Sequence, residues 1–264
     1  MSSADYRLQI EGFEEIQKEI EVLRKYRIDY TTYKGRAAQL INLLHPKVLR
    51  LRVSEIREET GTAKTFRLVS ADHYLPPFQA GQYINLLVEM DGIRTSRPYS
   101  LSSPPNQTGY YDITVRRVAD GFVSNYLLDE VKVGDVFEST SPAGNFFHNP
   151  LFHGSDLVFL AGGSGITPFM SMIREITDRG LDRRVHLLYG SQDQNDIIFR
   201  DELADRAARH ANLSVHHVVS APLTRLSRTD RFLDRGIDQV DRGRPDRQDL
   251  LPVRTGSHVR LLPP

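Results

Sequence analysis

A continuous apolar segment, Leu157-Val158-Phe159-Leu160-Ala161, runs directly into Gly162-Gly163-Ser164-Gly165-Ile166-Thr167-Pro168. The first part reads as a strand buried on both faces. The second reads as a tight turn opening a helix, with Pro168 suited to the first helical turn. The alternation then continues with a helix from about Pro168 to Arg179, a buried strand Val185-His186-Leu187-Leu188-Tyr189, a helix from Asp196 to His210 and a third strand at Val215 to Val219. Strand, helix, strand, helix predicts an α/β doubly wound parallel sheet. Glycines at the first turn let backbone amides approach an anionic pyrophosphate, so Gly162, Gly163 and Gly165 are candidate contacts of a dinucleotide. Their spacing differs from G-x-G-x-x-G. Thr167 either hydrogen-bonds the reactive end of such a ligand or caps the helix.

The second strand ends in Gly190-Ser191-Gln192-Asp193. This is where an adenosine ribose is expected, with Ser191 or Asp193 reaching its hydroxyls. No arginine adjoins it to match a 2′-phosphate, which favours NADH over NADPH. The segment Asp196-Ile197-Ile198-Phe199-Arg200-Asp201-Glu202 reads as the start of a helix and as packing.

Upstream the texture is different. Val48 to Val53, Thr65 to Val69, Tyr83 to Val88, Tyr111 to Arg116 and Val136 to Ser139 are short strand-like runs, and Asp91-Gly92 is a hairpin turn signal. Strands at this spacing predict an antiparallel β-barrel of about a hundred residues.

Two stretches of this region carry chemistry. In Arg97-Pro98-Tyr99-Ser100-Leu101-Ser102-Ser103, Arg97 can neutralise a phosphate, Tyr99 offers a flat face to an isoalloxazine ring, and Ser100 can hydrogen-bond a ring nitrogen. The bland alternative is a strand ending in a Ser/Pro turn. In the second stretch, the strand ending Val115-Arg116-Arg117 is followed by Gly121-Phe122-Val123-Ser124, a glycine turn opening a helix. Free amides at a helix start suit a phosphate, and Ser124 is either a phosphate donor or a cap. Ser141-Pro142-Ala143-Gly144 closes the barrel.

Residues 1–45 read as a helical extension, with apolar side chains recurring at Phe13, Ile16, Ile20, Leu23 and Tyr26 and again from Ala37 to Leu44. They form either a cap on the barrel or an arm that docks a partner. Lys plus Arg equals Asp plus Glu at 34 each, so no global field favours nucleic acid or an anionic membrane. No apolar run approaches membrane-spanning length, and the first residues lack a secretory pattern, so a cytoplasmic location is expected. Cysteine is absent, which removes disulfides, thiolate metal sites and a thiolate-held iron–sulfur cluster from this polypeptide. His216-His217 has no third ligand at convincing spacing, so no metal site is expected. Ser164 does not lie in a nucleophile elbow, and no triad can be assigned.

With these residues in place, residues 48–220 resemble the ferredoxin–NADP reductase superfamily, most of all the reductase components that pair a flavin with a plant-type [2Fe–2S] domain. Arg97-Pro98-Tyr99-Ser100 matches the family's R-x-Y-S motif, Gly121 and Ser124 its G-x-x-S segment, and Gly162, Gly163, Gly165, Thr167 and Pro168 its dinucleotide loop. The resemblance implies a flavin barrel over 46–150 and an incomplete nucleotide domain over 151–220. It also implies FAD rather than FMN, NADH or NADPH, and an electron-acceptor protein or iron–sulfur domain as partner. Arg97, Pro98, Tyr99, Ser100, Val115, Arg116, Gly121 and Ser124 would hold the flavin. Gly162, Gly163, Gly165, Thr167, Pro168 and Ser191 would hold the dinucleotide. Ser100 at the flavin N5 and Thr167 on the nicotinamide side would be the catalytic pair. The implied reaction is hydride transfer from NAD(P)H to FAD with onward release of single electrons. The alternative is a flavin-binding or assembly module that lacks hydride transfer.

The stretch 221–264 breaks these trends. It holds nine Arg and six Asp but no Lys, Glu or Tyr, which predicts a disordered tail; the Asp residues weaken its reading as a basic arm for nucleic acid. Family members carry a later C-G-P-x-x-M motif that this frame lacks. Read one base later with permitted codons, Asp249 to Pro263 can spell T-F-Y-L-C-G-P-E-A-M-Y-D-F-C, and Arg228 to Gln239 can spell G-L-T-G-F-L-T-A-E-L-I-K. A frame change between about Val218 and Arg228 is therefore expected. Coding DNA whose codons at 249–263 cannot yield the first string excludes it.

Overall fold

The computed structural model describes residues 13–26, 36–72, 74–220 and 250–252. The chain divides into two compact units, 1–47 and 48–264. Among the described residues the first holds two helices, α1 (Phe13–Lys25) and α2 (Arg36–Leu44), within the region read as helical. Residues 1–12 and 27–35 of that region lie outside the described residues.

The second unit opens with β1 (Leu49–Thr60), where Leu49, Leu51 and Val53 point inward and Arg50 and Arg52 outward. This two-residue period is what a sheet with one solvated face requires. β2 (Ala63–Ser70), β3 (Tyr83–Met90), β4 (Ile93–Ser100), β5 (Tyr111–Arg116) and β6 (Val136–Ser139) complete an antiparallel sheet of order β4-β3-β6-β1-β2-β5. Beyond β4 the chain continues to Leu101, which bridges Ile113 of β5, so the two edge strands meet and the sheet closes. Leu51, Phe66, Leu68, Ile84, Leu86, Leu101 and Ile113 fill the interior. α3 (Phe122–Asp129) follows β5 and buries Val123, Leu127 and Leu128 against that core.

β7 (Asp156–Gly162), β8 (Arg184–Ser191), β9 (Leu213–Val219) and β10 (Leu250–Pro252) form a parallel sheet of order β10-β7-β8-β9. A 3-10 turn, Gly163–Ile166, links β7 to α4 (Thr167–Asp178), and α5 (Arg200–Arg209) joins β8 to β9. Gly162 pairs with Gly190, so the glycine turn and the end of β8 lie level at the carboxyl edge of the sheet. Ligands of doubly wound sheets collect at this edge. Phe169 of α4 stacks on Phe159 of β7 with centroids 4.7 Å apart, inside a core that includes Ile166, Ile173, Leu187 and Leu203.

Two local expectations are corrected. β1 runs to Thr60 instead of stopping at Val53. The helix expected from Asp196 begins at Arg200, because Ile197, Ile198 and Phe199 are all buried and Phe199 has a left-handed φ of 61°. Of the stretch 221–264, only β10 is described; the rest of the expected tail lies outside the described residues.

Candidate functional site

β4 and β5 of the barrel face the turn before α4 across a cleft of about 310 Å³. Pro98, Tyr99, Ser100, Thr114, Val115 and Arg116 line the barrel wall, and Ser164, Gly165, Thr167 and Pro168 line the opposite wall. The two motifs singled out in the sequence thus meet. Tyr99 is half-buried and packs on the barrel core. Burial pushes its hydroxyl up to about 12, with the Arg97 charge acting in the opposite sense, so the ring enters the cleft neutral. Thr167 donates its hydroxyl hydrogen to the Ser164 carbonyl at 2.7 Å, which leaves its oxygen as an acceptor toward the cleft.

Arg116 is the cation among the residues that line this cleft. Its guanidinium pairs with Asp196, which also accepts from Thr62 Oγ1 at 2.5 Å and Thr60 Oγ1 at 2.8 Å. Strand β5, the β1–β2 turn and the segment before α5 therefore converge on one carboxylate. Gly163 lies directly beneath: a Cβ there would come within 2.6 Å of Arg116 Nη1, and its φ of 51° is left-handed. The buried Tyr189 hydroxyl donates to the Gly163 carbonyl at 3.0 Å and holds the turn from below. Arg116 thus stands on the barrel wall of the cleft and reaches the segment before α5 through Asp196.

Other expected residues stand apart from the cleft lining. Gly121 precedes α3, whose first turn has no side-chain cap, and Ser124 Oγ and Asn125 Oδ1 are buried there without partners. A Cβ on Gly121 would come within 2.2 Å of Ser124 Oγ. Arg97 is exposed and donates to Thr95 Oγ1 and the Ser96 carbonyl, with no carboxylate partner among the described residues. Ser191 is buried at the end of β8 with its Oγ also unpartnered. Uncapped helix amides, orphaned hydroxyls and an unpaired arginine are what phosphate and ribose groups require. Together with the Tyr99 face, these residues fit a flavin dinucleotide and a nicotinamide dinucleotide.

Sequence reasoning missed the hydroxyl chain under the cleft. Thr65 Oγ1 and Thr114 Oγ1 lie 2.8 Å apart, and Thr114 Oγ1 donates to Ser102 Oγ at 3.0 Å. Single threonines in strands carry no motif. Asp196 was read as packing, and only the fold brings it to Arg116.

The barrel and sheet also meet through charge. Burial would push the Glu202 carboxyl up, but hydrogen bonds and charges from Arg174 and Arg206 outweigh it and hold the group low. Burial raises the nearby Glu59 carboxyl despite Thr65, Arg57 and Arg174. A raised folded pKa costs stability above that pKa, and the cost disappears below the ordinary carboxylate range. Glu59→Gln is therefore expected to raise Tm at pH 7–8 and to leave it unchanged at about pH 4. Scanning calorimetry across that range checks this; an equal effect at both pH values contradicts it.

The chain matches the oxidoreductase FAD-binding domain family over residues 50–148 and the oxidoreductase NAD-binding domain family over 159–242. It is 38% identical over 138 residues to the reductase component of phenol 2-monooxygenase from Pseudomonas sp. strain CF600, covering 52% of this chain and 38% of that protein. It is 36% identical over 180 residues to the ferredoxin reductase component of 3-ketosteroid-9-alpha-monooxygenase from Mycobacterium tuberculosis, covering 64% and 49%. Among solved structures, phthalate dioxygenase reductase superposes with a TM-score of 0.57 at 28% identity, over 68% of this chain and 55% of that one. The FAD/NAD-binding domain of nitric oxide dioxygenase from Vibrio cholerae superposes with a TM-score of 0.59 at 27% identity, over 69% and 82%. The two matched segments are the barrel, as a FAD-binding domain, and the parallel sheet with its helices, as an NAD-binding domain. The chain carries an oxidoreductase FAD-binding domain and an oxidoreductase NAD-binding domain, and its homologues include reductases of the ferredoxin reductase-like family. It spans about half or less of the length of the curated relatives it matches. Among the described residues, no helix is long and apolar enough to cross a membrane, and no group of three His, Asp or Glu is placed to hold a metal ion.

Proposed function

We propose that this chain takes reducing equivalents from NADH or NADPH through FAD and delivers them singly to an acceptor such as an iron–sulfur protein. The observation that carries this reading is that Tyr99 and Thr167 line one cleft. When bound, FAD would supply the acceptor for hydride and its onward release as single electrons. The protein's part is position: Tyr99 gives the ring a neutral face, Ser100 a hydrogen bond, and Arg116 and the glycine turn a place for the dinucleotide phosphates. Two relatives are by name reductase components of monooxygenases, which supports the same class of reaction here. The absence of arginine in Gly190-Ser191-Gln192-Asp193 supports NADH over NADPH.

The experiment is an absorbance spectrum of the purified protein, taken anaerobically with and without NADH. Yellow protein that loses its flavin absorbance on adding NADH is expected. Folded protein that binds no flavin when reconstituted with FAD overturns the reading. A second reading is a flavin-binding module with slow or no hydride transfer. It draws on the composition of 221–264 and on β10, a three-residue strand beside β7 where permitted codons read one base later can spell T-F-Y-L from Asp249. Yellow protein that bleaches slowly or not at all selects this second reading.

A further inference from the structure

α4 begins in the cleft and continues along the seam between barrel and sheet. Thr167, Ser171 and Arg174 stand four and three residues apart on it, so they share one helical face. Thr167 lines the cleft. One turn further, Ser171 Oγ donates to the Ser103 carbonyl at 2.6 Å, and Arg174 Nη1 donates to the Ser102 carbonyl at 2.7 Å. Ser102 and Ser103 follow Tyr99 and Ser100 directly, and all four of these anchor residues (Ser102, Ser103, Ser171 and Arg174) are buried. One short helix face therefore carries the sheet-side cleft residue and grips the end of the barrel-side motif.

Arg174 is held too firmly for a residue that only fills space. Its Nε and Nη2 make a two-point bond to Glu202 at 2.9 and 2.5 Å. Glu202 also accepts from Arg206 Nε at 2.9 Å, and Arg206 returns to α4 through Thr177 Oγ1 at 2.5 Å and Asp178 at 2.6 Å. The guanidinium lies 4.9 Å from the centroid of the Phe199 ring. The frame closes on itself across α4 and α5, and Nη1 reaches out of it to the barrel. Buried ion pairs add little net stability compared with well-packed apolar side chains, but they fix geometry closely. The segment from Asp196 to Glu202, read from sequence as the start of a helix and as packing, supplies Phe199 and Glu202 to the buttress of this arm.

We propose that Ser171 and Arg174 are positioning residues that set the separation between the flavin-side strand end and Thr167, and so the distance over which hydride passes. This rests on the redox reading above. The test uses the full chain loaded with FAD, as Arg174→Gln, Arg174→Lys and Ser171→Ala. Amide hydrogen exchange without dinucleotide reads the anchoring directly. The amides of residues 101–103 are expected to exchange at least tenfold faster in Arg174→Gln and Ser171→Ala, while β1 and β2 keep their protection. Anaerobic rapid mixing with NADH reads the consequence. The limiting rate of flavin bleaching is expected to fall about tenfold in Arg174→Gln and about threefold in Ser171→Ala. Flavin content and the apparent Kd for NADH are expected to stay within twofold, and Arg174→Lys, which keeps one donor for the Ser102 carbonyl, is expected to recover part of the rate. Limiting rates within twofold of the parent overturn the proposal. So does a loss of rate, affinity and flavin together that lysine does not recover, because that marks a merely structural role. If the parent protein is itself not reduced by NADH, the redox reading fails, and exchange alone decides the anchoring. Unchanged protection at 101–103 overturns it, and faster exchange upholds it. If Arg174→Gln does not fold, Ser171→Ala carries both measurements.

Discussion

Gly81→Ala is expected to remove at least about 3–5 kcal/mol of stability, a large share of the roughly 5–15 kcal/mol that a domain has. Gly81 has a φ of 103°, in a turn where the Gln82 amide donates to the Gln79 carbonyl at 3.0 Å. That geometry alone penalises alanine by about 1–2 kcal/mol. The larger part is steric. A Cβ there would lie 2.0 Å from the Phe146 carbonyl oxygen and 2.5 Å from Met172 Cε. Met172 is a flexible side chain and can move, but the Phe146 oxygen is backbone and cannot move without shifting the connection between β6 and β7. Phe146 also packs edge-on against Phe169 of α4, so this displacement reaches the helix that carries Thr167. Gly92 provides the control: its φ is 75°, yet nothing lies within 4 Å of its Cβ position. Gly92→Ala should therefore cost only the backbone share. Urea denaturation of the two variants separates the terms, and equal losses would show that the Phe146 contact yields more easily than its geometry implies.

Legibility differed between parts of the molecule for physical reasons. Period-two alternation in Leu49 to Val53 and the apolar run Leu157 to Ala161 report local burial, and both strands stand where the pattern puts them. The two motifs were readable because a ligand that approaches backbone closely demands glycine or a small hydroxyl at fixed positions. The fold joins them in one cleft. Asp196 and Arg174 were not readable. Asp196 meets Arg116 across 80 positions of chain, and Arg174 meets the Ser102 carbonyl across 72. A carboxylate at a helix start and an arginine within a helix are ordinary on a surface, and only tertiary contact turns them into cross-links. Phe199 misled in the other direction. Its neighbours form a helical pattern, but burying Ile197, Ile198 and Phe199 together forces a left-handed residue that delays the helix to Arg200. Tertiary burial overrode local propensity there.

The Arg116–Asp196 pair is expected to give opposite results when its two halves are changed. Arg116 is the cation lining the cleft, and an incoming dinucleotide pyrophosphate carries two negative charges, so the guanidinium has two competing acceptors. Arg116→Gln removes the attraction and should weaken dinucleotide binding about 30- to 100-fold, on the order of 2–3 kcal/mol for a charge-assisted contact. Asp196→Asn keeps an oxygen for the Thr60 and Thr62 hydroxyls while removing the competing charge. It should tighten binding about threefold to tenfold, on the order of 1 kcal/mol at the effective dielectric of a partly buried site. The gain should shrink as salt is raised, because screening weakens the charge that Asn uncovers. Titration of each variant with NAD+, followed by flavin absorbance or calorimetry, reads the affinities without turnover. If both variants weaken binding alike, the pair is a fastening between β5 and the sheet and nothing more. Opposite signs mean that Asp196 holds the phosphate-binding arginine in reserve and that the dinucleotide must take it over on binding.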